Sequence, residues 1–228
     1  MTQNTLILLP GVLSNHRVWT HQATHLNEQV CCQVIPLTDH DNMEDLLQMV
    51  LASVPGNFIL AGHSMGGWLA LELARAAPER ILKLCLLNTS AKEDPPEKYK
   101  DRLAMIAAVK QGQFQNVAEN IAERYVHNKQ VKQDVLSMFL NVGEKAFVNQ
   151  EKALLTRRET VSILPQLTMP TMIIHAQKDK VFSLSSHLEL QKKMPNAKLA
   201  IVDDCGHMSP MEAPQAITSL MRYWIDYF

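Results

Sequence analysis

The 228-residue sequence is poor in several signals that would each point to a function. It has four cysteines and no Cys-x-x-Cys pair: Cys31 and Cys32 adjoin, Cys85 lies in an apolar run and Cys205 stands two residues before His207. They read as core thiols of a reducing compartment, with no disulfide framework, and Cys205 is set aside for its position. The nine histidines show no H-E-x-x-H or H-x-x-x-H helical spacing with a third ligand in view, so no metal is expected. There is no G-x-G-x-x-G and no glycine loop followed by Gly-Lys-Ser/Thr, so no nucleotide cofactor is expected either. Lys plus Arg number 22 against 23 Asp plus Glu, giving a net charge of -1 with no basic patch. That balance offers nothing to nucleic acid or to an anionic membrane. The apolar run Leu6–Leu9 has no Lys or Arg before it and closes at Pro10-Gly11, far short of a signal or membrane-spanning segment. A cytoplasmic location follows as the expectation. No internal repeat or low-complexity tract occurs.

What is present is alternation. Residues are 46% hydrophobic and 20% charged, enough for one sizeable core. Short apolar runs at Thr5–Leu9, Val30–Leu37, Phe58–Ala61 and Ile81–Asn88 read as buried strands. Between them lie helix-compatible stretches over Val18–Leu26, after Asp41 or Asn42, and over Trp68–Ala77, the last two ended by Pro55-Gly56 and Pro78. Strict alternation predicts an α/β fold with a doubly wound, mostly parallel sheet and helices on both faces. From Ala91 the sequence becomes charged and proline-broken, Lys92-Glu93-Asp94-Pro95-Pro96, and no strand pattern returns for about seventy residues. Within that stretch Phe114, Val117, Ala118, Ile121, Ala122 and Tyr125 share one helical face, and Val131, Val135, Met138, Phe139 and Val142 another. Alternation resumes with strands at Thr171–Ala176 and Ala197–Val202 and helices over Leu184–Met194 and Glu212–Tyr227. The predicted division is a core of residues 1–91 and 165–228 with a helical cap inserted at 92–164.

The densest chemical signal is Gly62-His63-Ser64-Met65-Gly66, set between an apolar strand and a strong helix. G-x-S-x-G in that context is a nucleophile elbow, whose small flanks allow a turn tight enough to expose the serine hydroxyl. A serine hydroxyl needs a general base within hydrogen-bond reach, and the base needs a carboxylate to orient it. In a doubly wound sheet such groups follow later strands, because the loops at the carboxyl ends of the strands gather on one edge. Asp179 follows the strand ending at Ala176 and His207 the strand ending at Val202, in the Ser-Asp-His order that accompanies the elbow. Glu93 or Asp94 is the competing acid, while Asp203 and Asp204 read as turn residues. His63 is expected to pack within its strand and His175 to be a hydrogen-bonded core histidine.

With Leu9-Pro10-Gly11, the elbow, Asp179 with Val181, and Asp204-Cys205-Gly206-His207 leading to Glu212-Ala213-Pro214, the chain resembles the α/β-hydrolases, in particular their small, capped serine esterases and lactonases. The resemblance implies a backbone oxyanion hole from the amides of Met65 and of Val12 or Leu13. It also marks two departures. Pro10-Gly11 stands where many members carry His-Gly, and Met1–Asn4 leaves no room for the hairpin that usually precedes the first strand, which predicts a sheet of about six strands.

The expected activity is hydrolysis of a small carboxylic ester, or of a lactone or thioester, through an acyl-enzyme on Ser64. A ligand-sensing module with slow turnover and a lyase that uses the triad without an acyl-enzyme are the alternatives. Leu13, His16 and Met208 are pocket candidates, with Met65, Met105, Met138 and Met211 as further apolar lining. Arg102, Arg157 and Arg158 suit a substrate carboxylate or an acidic carrier protein, although a solvated surface is the expected reading of all three. The expected partner is therefore a small acyl molecule; oligomeric state is not legible.

Overall fold

The computed structural model describes residues 3–228; Met1 and Thr2, part of the amino-terminal stretch read above, lie outside the described residues. Six strands form one sheet: β1 (Thr5–Leu9), β2 (Cys31–Val34), β3 (Phe58–His63), β4 (Ile81–Leu87), β5 (Thr171–Ala176) and β6 (Ala197–Val202). Their order is β2-β1-β3-β4-β5-β6 and every pairing is parallel, as the alternation requires. Burial follows position in the sheet. β3 and β5 are buried at all six residues, whereas the edge strand β2 alternates between exposed and half-buried. Strands covered on both faces must be continuously apolar, and edges need not be.

Helices cover both faces. α1 (Thr20–Leu26) packs against the closing α10 (Pro214–Tyr227), and α2 (Met43–Ser53) against α3 (Met65–Ala76), which lies along β3. The Asn42 side chain accepts the Asp45 amide and caps α2, one of the two caps expected from sequence. The stretch predicted as one helix over Val18–Leu26 begins instead with a 3-10 turn at His16–Trp19, capped by Asn15. The closing helix starts at Pro214 rather than Glu212. Ser209–Glu212 forms a separate short helix, α9, because Ala213 (φ -133°, ψ 57°) breaks the run.

Between β4 and β5 lie four α-helices, a 3-10 helix at Val161–Gln166 and no described strand: the α-helices are α4 (Pro96–Lys110), α5 (Phe114–Tyr125), α6 (Lys132–Val142) and α7 (Glu144–Leu155). α5 buries Val117, Ala118, Ile121 and Ala122, and α6 buries Val135, Met138 and Phe139, so both apolar stripes read from spacing face the protein interior. α8 (Leu184–Lys193) packs on β5 and β6.

The order in which strands are laid down reverses between β1 and β3, which are adjacent although β2 intervenes in sequence. Crevices at such switch points, beyond the carboxyl ends of the strands, are where ligands bind in open α/β sheets. The loop after β1 and the turn after β3 meet there.

Candidate active site

Ser64 ends β3 and opens α3 in a strained conformation, φ 56° and ψ -115°. The turn is possible because its flanks lack side chains: a Cβ on Gly62 would collide with the Gly66 carbonyl, and one on Gly66 with the Leu9 carbonyl. The strain is held from both sides of the serine. Its amide donates to Leu87 O at 3.0 Å, and its carbonyl accepts the Thr89 hydroxyl at 2.9 Å.

His207 and Asp179 converge on it from the loops after β6 and β5. His207 Nε2 lies 2.9 Å from Ser64 Oγ, and Nδ1 lies 3.0 Å from Asp179 Oδ2. A carboxylate can only accept, so Nδ1 carries the proton and Nε2 is free to accept from the serine hydroxyl. Asp179 takes four hydrogen bonds: His207 Nδ1 and Asn88 Nδ2 (2.9 Å) at Oδ2, and the amides of Val181 (2.7 Å) and Phe182 (3.2 Å) at Oδ1. Burial pushes its pKa up, but the charge of His207 and these donors outweigh burial and hold the carboxyl well below the usual range. Asp94, one of the competing acids, is engaged with Arg102 on the far wall of the cavity instead. Asp204 lies at φ 49° in its turn and pairs with His127 at 2.9 Å.

The oxyanion question is narrowed by a residue that sequence reading passed over. Gln150, fully buried on α7, accepts the Leu13 amide at Oε1 (2.9 Å) and donates to Leu37 O (3.0 Å). Leu13 N–H is thereby committed. Among the described residues the amides of Val12 and Met65 have no such acceptor, and both residues line the cavity beside Ser64.

That cavity, of about 210 Å³, is walled by Val12, Ser64, Met65, Trp68, Val181 and Phe182 on the sheet side, and by residues of α4, α5 and α7 opposite. Several expectations need correction. Leu13, His16 and Met208 do not line it. Leu13 turns into the core at φ 56°, His16 is exposed at the start of the 3-10 turn, and Met208 is fully buried with its amide held by Glu212. Of the methionines, Met65 and Met105 face the cavity, and Met138 and Met211 do not. Arg102 is not at the surface: its guanidinium bonds Asp94 at 2.6 Å and Glu151 at 2.7 Å, with all three side chains buried. Arg157 is also buried, stacked on Trp68, with Nε and Nη1 unpartnered, and burial pushes its pKa down to about 8. Its neighbour Arg158 is exposed as expected. His175 is not hydrogen-bonded through its buried Nδ1; its ring packs on that of His187.

Two further residues hold His207. His63, beyond packing in β3, places Nε2 2.7 Å from the His207 carbonyl, and burial with the nearby His207 lowers its pKa to about 3. Glu212 accepts four amides, those of His127 (2.8 Å), Asn128 (2.8 Å), Gly206 (3.2 Å) and Met208 (3.0 Å). It thus ties the α5–α6 loop to the loop that carries His207, and His207 N donates to Tyr125 O (2.8 Å) across the same seam. Only the spacing from Gly206-His207 to Glu212 hinted at this. Among the described residues no group of three or more His, Cys, Asp or Glu side chains is arranged to hold a metal ion, all four cysteines are free, and no helix is long and apolar enough to cross a membrane.

Comparison with known proteins agrees with this architecture. Pimeloyl-[acyl-carrier protein] methyl ester esterase of Nitrosomonas europaea is 21% identical over 94% of this chain and 92% of its own length. The protein of the same name from Aromatoleum aromaticum is 25% identical, over 97% and 98%. A malate-bound thermophilic esterase from Thermogutta terrifontis superposes with a TM-score of 0.89 at 24% identity, covering 98% of this chain and 90% of that one. The profile described as the alpha/beta hydrolase family matches residues 6–220, and the chain belongs to that family.

Proposed function

We propose that this chain hydrolyses a small carboxylic ester through an acyl-enzyme on Ser64. The observation that carries the reading is the unbroken line of hydrogen bonds from Ser64 Oγ through His207 to Asp179, starting from a serine on a strained elbow at a cavity wall. The Ser64 oxygen attacks the ester carbonyl while His207 Nε2 takes the hydroxyl proton. Negative charge moves to the carbonyl oxygen, where the amides of Val12 and Met65 receive it, Met65 at the amino end of α3. His207 then gives its proton to the leaving alkoxide, and the alcohol departs. Water attacks the acyl-enzyme, passing one proton to His207, and the tetrahedral intermediate collapses to release the acid and restore Ser64. Asp179 stays ionised throughout and keeps the imidazole in its working tautomer.

The names of the relatives, an esterase of an acyl-carrier-protein methyl ester in two cases, support an ester with a short alcohol and an acyl group of moderate length. A lactone or thioester satisfies the same chemistry. Residues 92–164 act in this reading as a cap, since α4, α5 and α7 supply the wall opposite Ser64. A p-nitrophenyl acyl ester should give an initial burst equal to the enzyme concentration, and a fluorophosphonate should label Ser64. Ser64→Ala should lose both, with kcat down by about a million-fold. Intact protein that shows neither burst nor labelling would overturn the proposal.

A further inference from the structure

The helical wall of the cavity carries more charge than an apolar acyl group can use. α4 presents Lys98, Asp101, Arg102 and Met105, and α5 presents Val117, Asn120, Ile121 and Arg124; within each helix these positions share a face. Charged groups on a pocket wall are normally few and aimed at a ligand feature. The lining also has a direction. Val12, Ser64 and Met65 are buried, whereas Asp101, Asn120 and Arg124 are exposed, so the cavity runs from the serine to a mouth between α4 and α5.

A census of charge around it leaves one cation, Arg124, without a partner and a second, Lys98, with only a share of the Asp94 carboxylate. Arg102 is matched by Asp94 and Glu151, and both carboxylates are matched by it. Arg157 stands behind Trp68, 3.8 Å from Asp94. Lys98 reaches only Asp94, at 3.7 Å, with its ammonium 4.6 Å over the ring of Phe182, which lines the same cavity. The Arg124 side chain makes no hydrogen bond or ion pair with any described residue. Asp101 is the one unpaired anion of the wall, exposed at the rim.

We propose that Lys98 and Arg124 form an anion subsite at the mouth of the cavity, taking a carboxylate that the ester substrate carries several bonds from its scissile carbonyl. This rests on the reading of Ser64 as the nucleophile, and it names the substrate class, an ester with a carboxylate tail. Lys98 is poised for such a ligand: burial first, then the cations Arg102, Arg157 and Arg124, lower its pKa to about 8, against the opposing pull of Asp94. A carboxylate between Lys98 and Arg124 relieves that repulsion. A singly charged group fits better than a phosphate dianion, because Asp101 and Glu151 share the wall.

The test compares monomethyl adipate with dimethyl adipate, which has the same skeleton and no tail charge, and 6-acetoxyhexanoate with its methyl ester, which moves the charge to the alcohol side. In the wild type at least one charged ester should be preferred in kcat/KM, and the preferred pair identifies the side that bears the tail. Lys98→Met combined with Arg124→Met should cut that preference at least about five-fold. A smaller change, or no preference in either pair, overturns the subsite. Titration calorimetry with Ser64→Ala protein separates the subsite from the chemistry: monomethyl adipate or 6-acetoxyhexanoate should bind more tightly than its neutral partner, and lose that advantage in the Lys98→Met, Arg124→Met background. If the wild type turns over no ester while this titration succeeds, the hydrolase reading falls and the subsite stands. If turnover succeeds and the charged esters bind no better than the neutral ones, the reverse holds.

Discussion

The two walls of the cavity satisfy their polar groups very differently. On the sheet side, both ring nitrogens and both backbone groups of His207 are hydrogen-bonded, Asp179 takes four bonds and Glu212 takes four amides. On the helical side, one buried cluster closes on itself while Arg124 and Asp101 pair with nothing described and Arg157 keeps two bare donors. Under the proposed mechanism, proton transfer tolerates little positional error, and over-determined groups suit it. Recognition of a variable tail tolerates more. Unpaired charge at a rim is inexpensive in water and becomes useful when a ligand arrives.

The sharpest way to break this contrast is at its over-determined end. Asp179→Asn keeps the shape of the side chain and can still accept from Val181 and Phe182 at one oxygen, but its amide faces Nδ1 of His207 and forces the wrong tautomer. A fall in kcat of about 10⁴-fold is expected, with KM nearly unchanged, measured on a p-nitrophenyl ester. A loss below about ten-fold would mean that Asp179 is not the orienting acid.

At the other wall the largest effect should be on stability rather than rate. Arg102→Met leaves Glu151 buried without its counter-charge and Asp94 with only the longer contacts to Lys98 and Arg157, a loss of about 3–5 kcal/mol by urea unfolding. Arg102→Met with Glu151→Met should recover much of it, because removing both partners leaves less buried charge unmatched. If the single substitution is neutral, the cluster is not buried as described.

Glu212→Gln lies between these cases, since Glu212 belongs to the seam joining the two walls. Gln keeps one acceptor oxygen but turns an amide toward backbone donors, leaving buried N–H groups of the α5–α6 loop or of the His207 loop unpaired. A destabilisation of about 2–3 kcal/mol is expected. If the seam positions His207, kcat should also drop about ten-fold while KM holds; an unchanged kcat would reduce Glu212 to a purely structural residue.

These pairs also show where the sequence could be read and where it could not. Ser64, Asp179 and His207 were legible because strand periodicity, glycine spacing and chain order are local signals, and the topology of a parallel sheet brings strand ends together. The parallel sheet with helices on both faces followed from the same alternation, and its six strands from the resemblance and the missing leading hairpin. Gln150 was not legible, and Glu212 stood in the motif without its role. Gln150 lies 137 positions from the amide of Leu13 that it accepts, and no pattern along the chain encodes that meeting. Arg102 and Arg157 were misread as surface residues for a related reason: an isolated charge in an amphipathic stretch normally faces water. Burial becomes tolerable only through carboxylates such as Glu151, 49 positions from Arg102. Leu13 reads as pocket because it follows the oxyanion loop and Met208 because it adjoins His207, but Leu13 turns into the core at a positive φ and Met208 is buried with its amide held by Glu212.

The last contrast concerns pH, and it distinguishes the walls by sign. On the sheet side, His63 has its pKa lowered to about 3 and His187 to about 4, in both cases chiefly by burial. An unfolded histidine titrates near 6.5, so below that pH the unfolded chain binds protons that the folded chain refuses. Stability is therefore at its plateau above about pH 7 and falls as pH drops through 6.5 toward 4, by up to about 1.4 kcal/mol per pH unit for each histidine. The depressed carboxyl of Asp179 adds a loss of the same sign, but only below its unfolded value of about 3.9. On the helical side Glu151 works oppositely: burial raises its pKa, so protonation on acidification relieves the folded state. Urea unfolding at about pH 7, 6 and 5 should show the histidine slope winning. His63→Gln, whose amide can still reach the His207 carbonyl, should lower that slope by about one proton. An unchanged slope would mean that His63 takes up a proton while folded. In that case its Nε2 bond to the His207 carbonyl would persist through protonation, since both ring nitrogens carry N–H in the imidazolium, and the buried, unpartnered Nδ1–H would have to gain an acceptor through local movement.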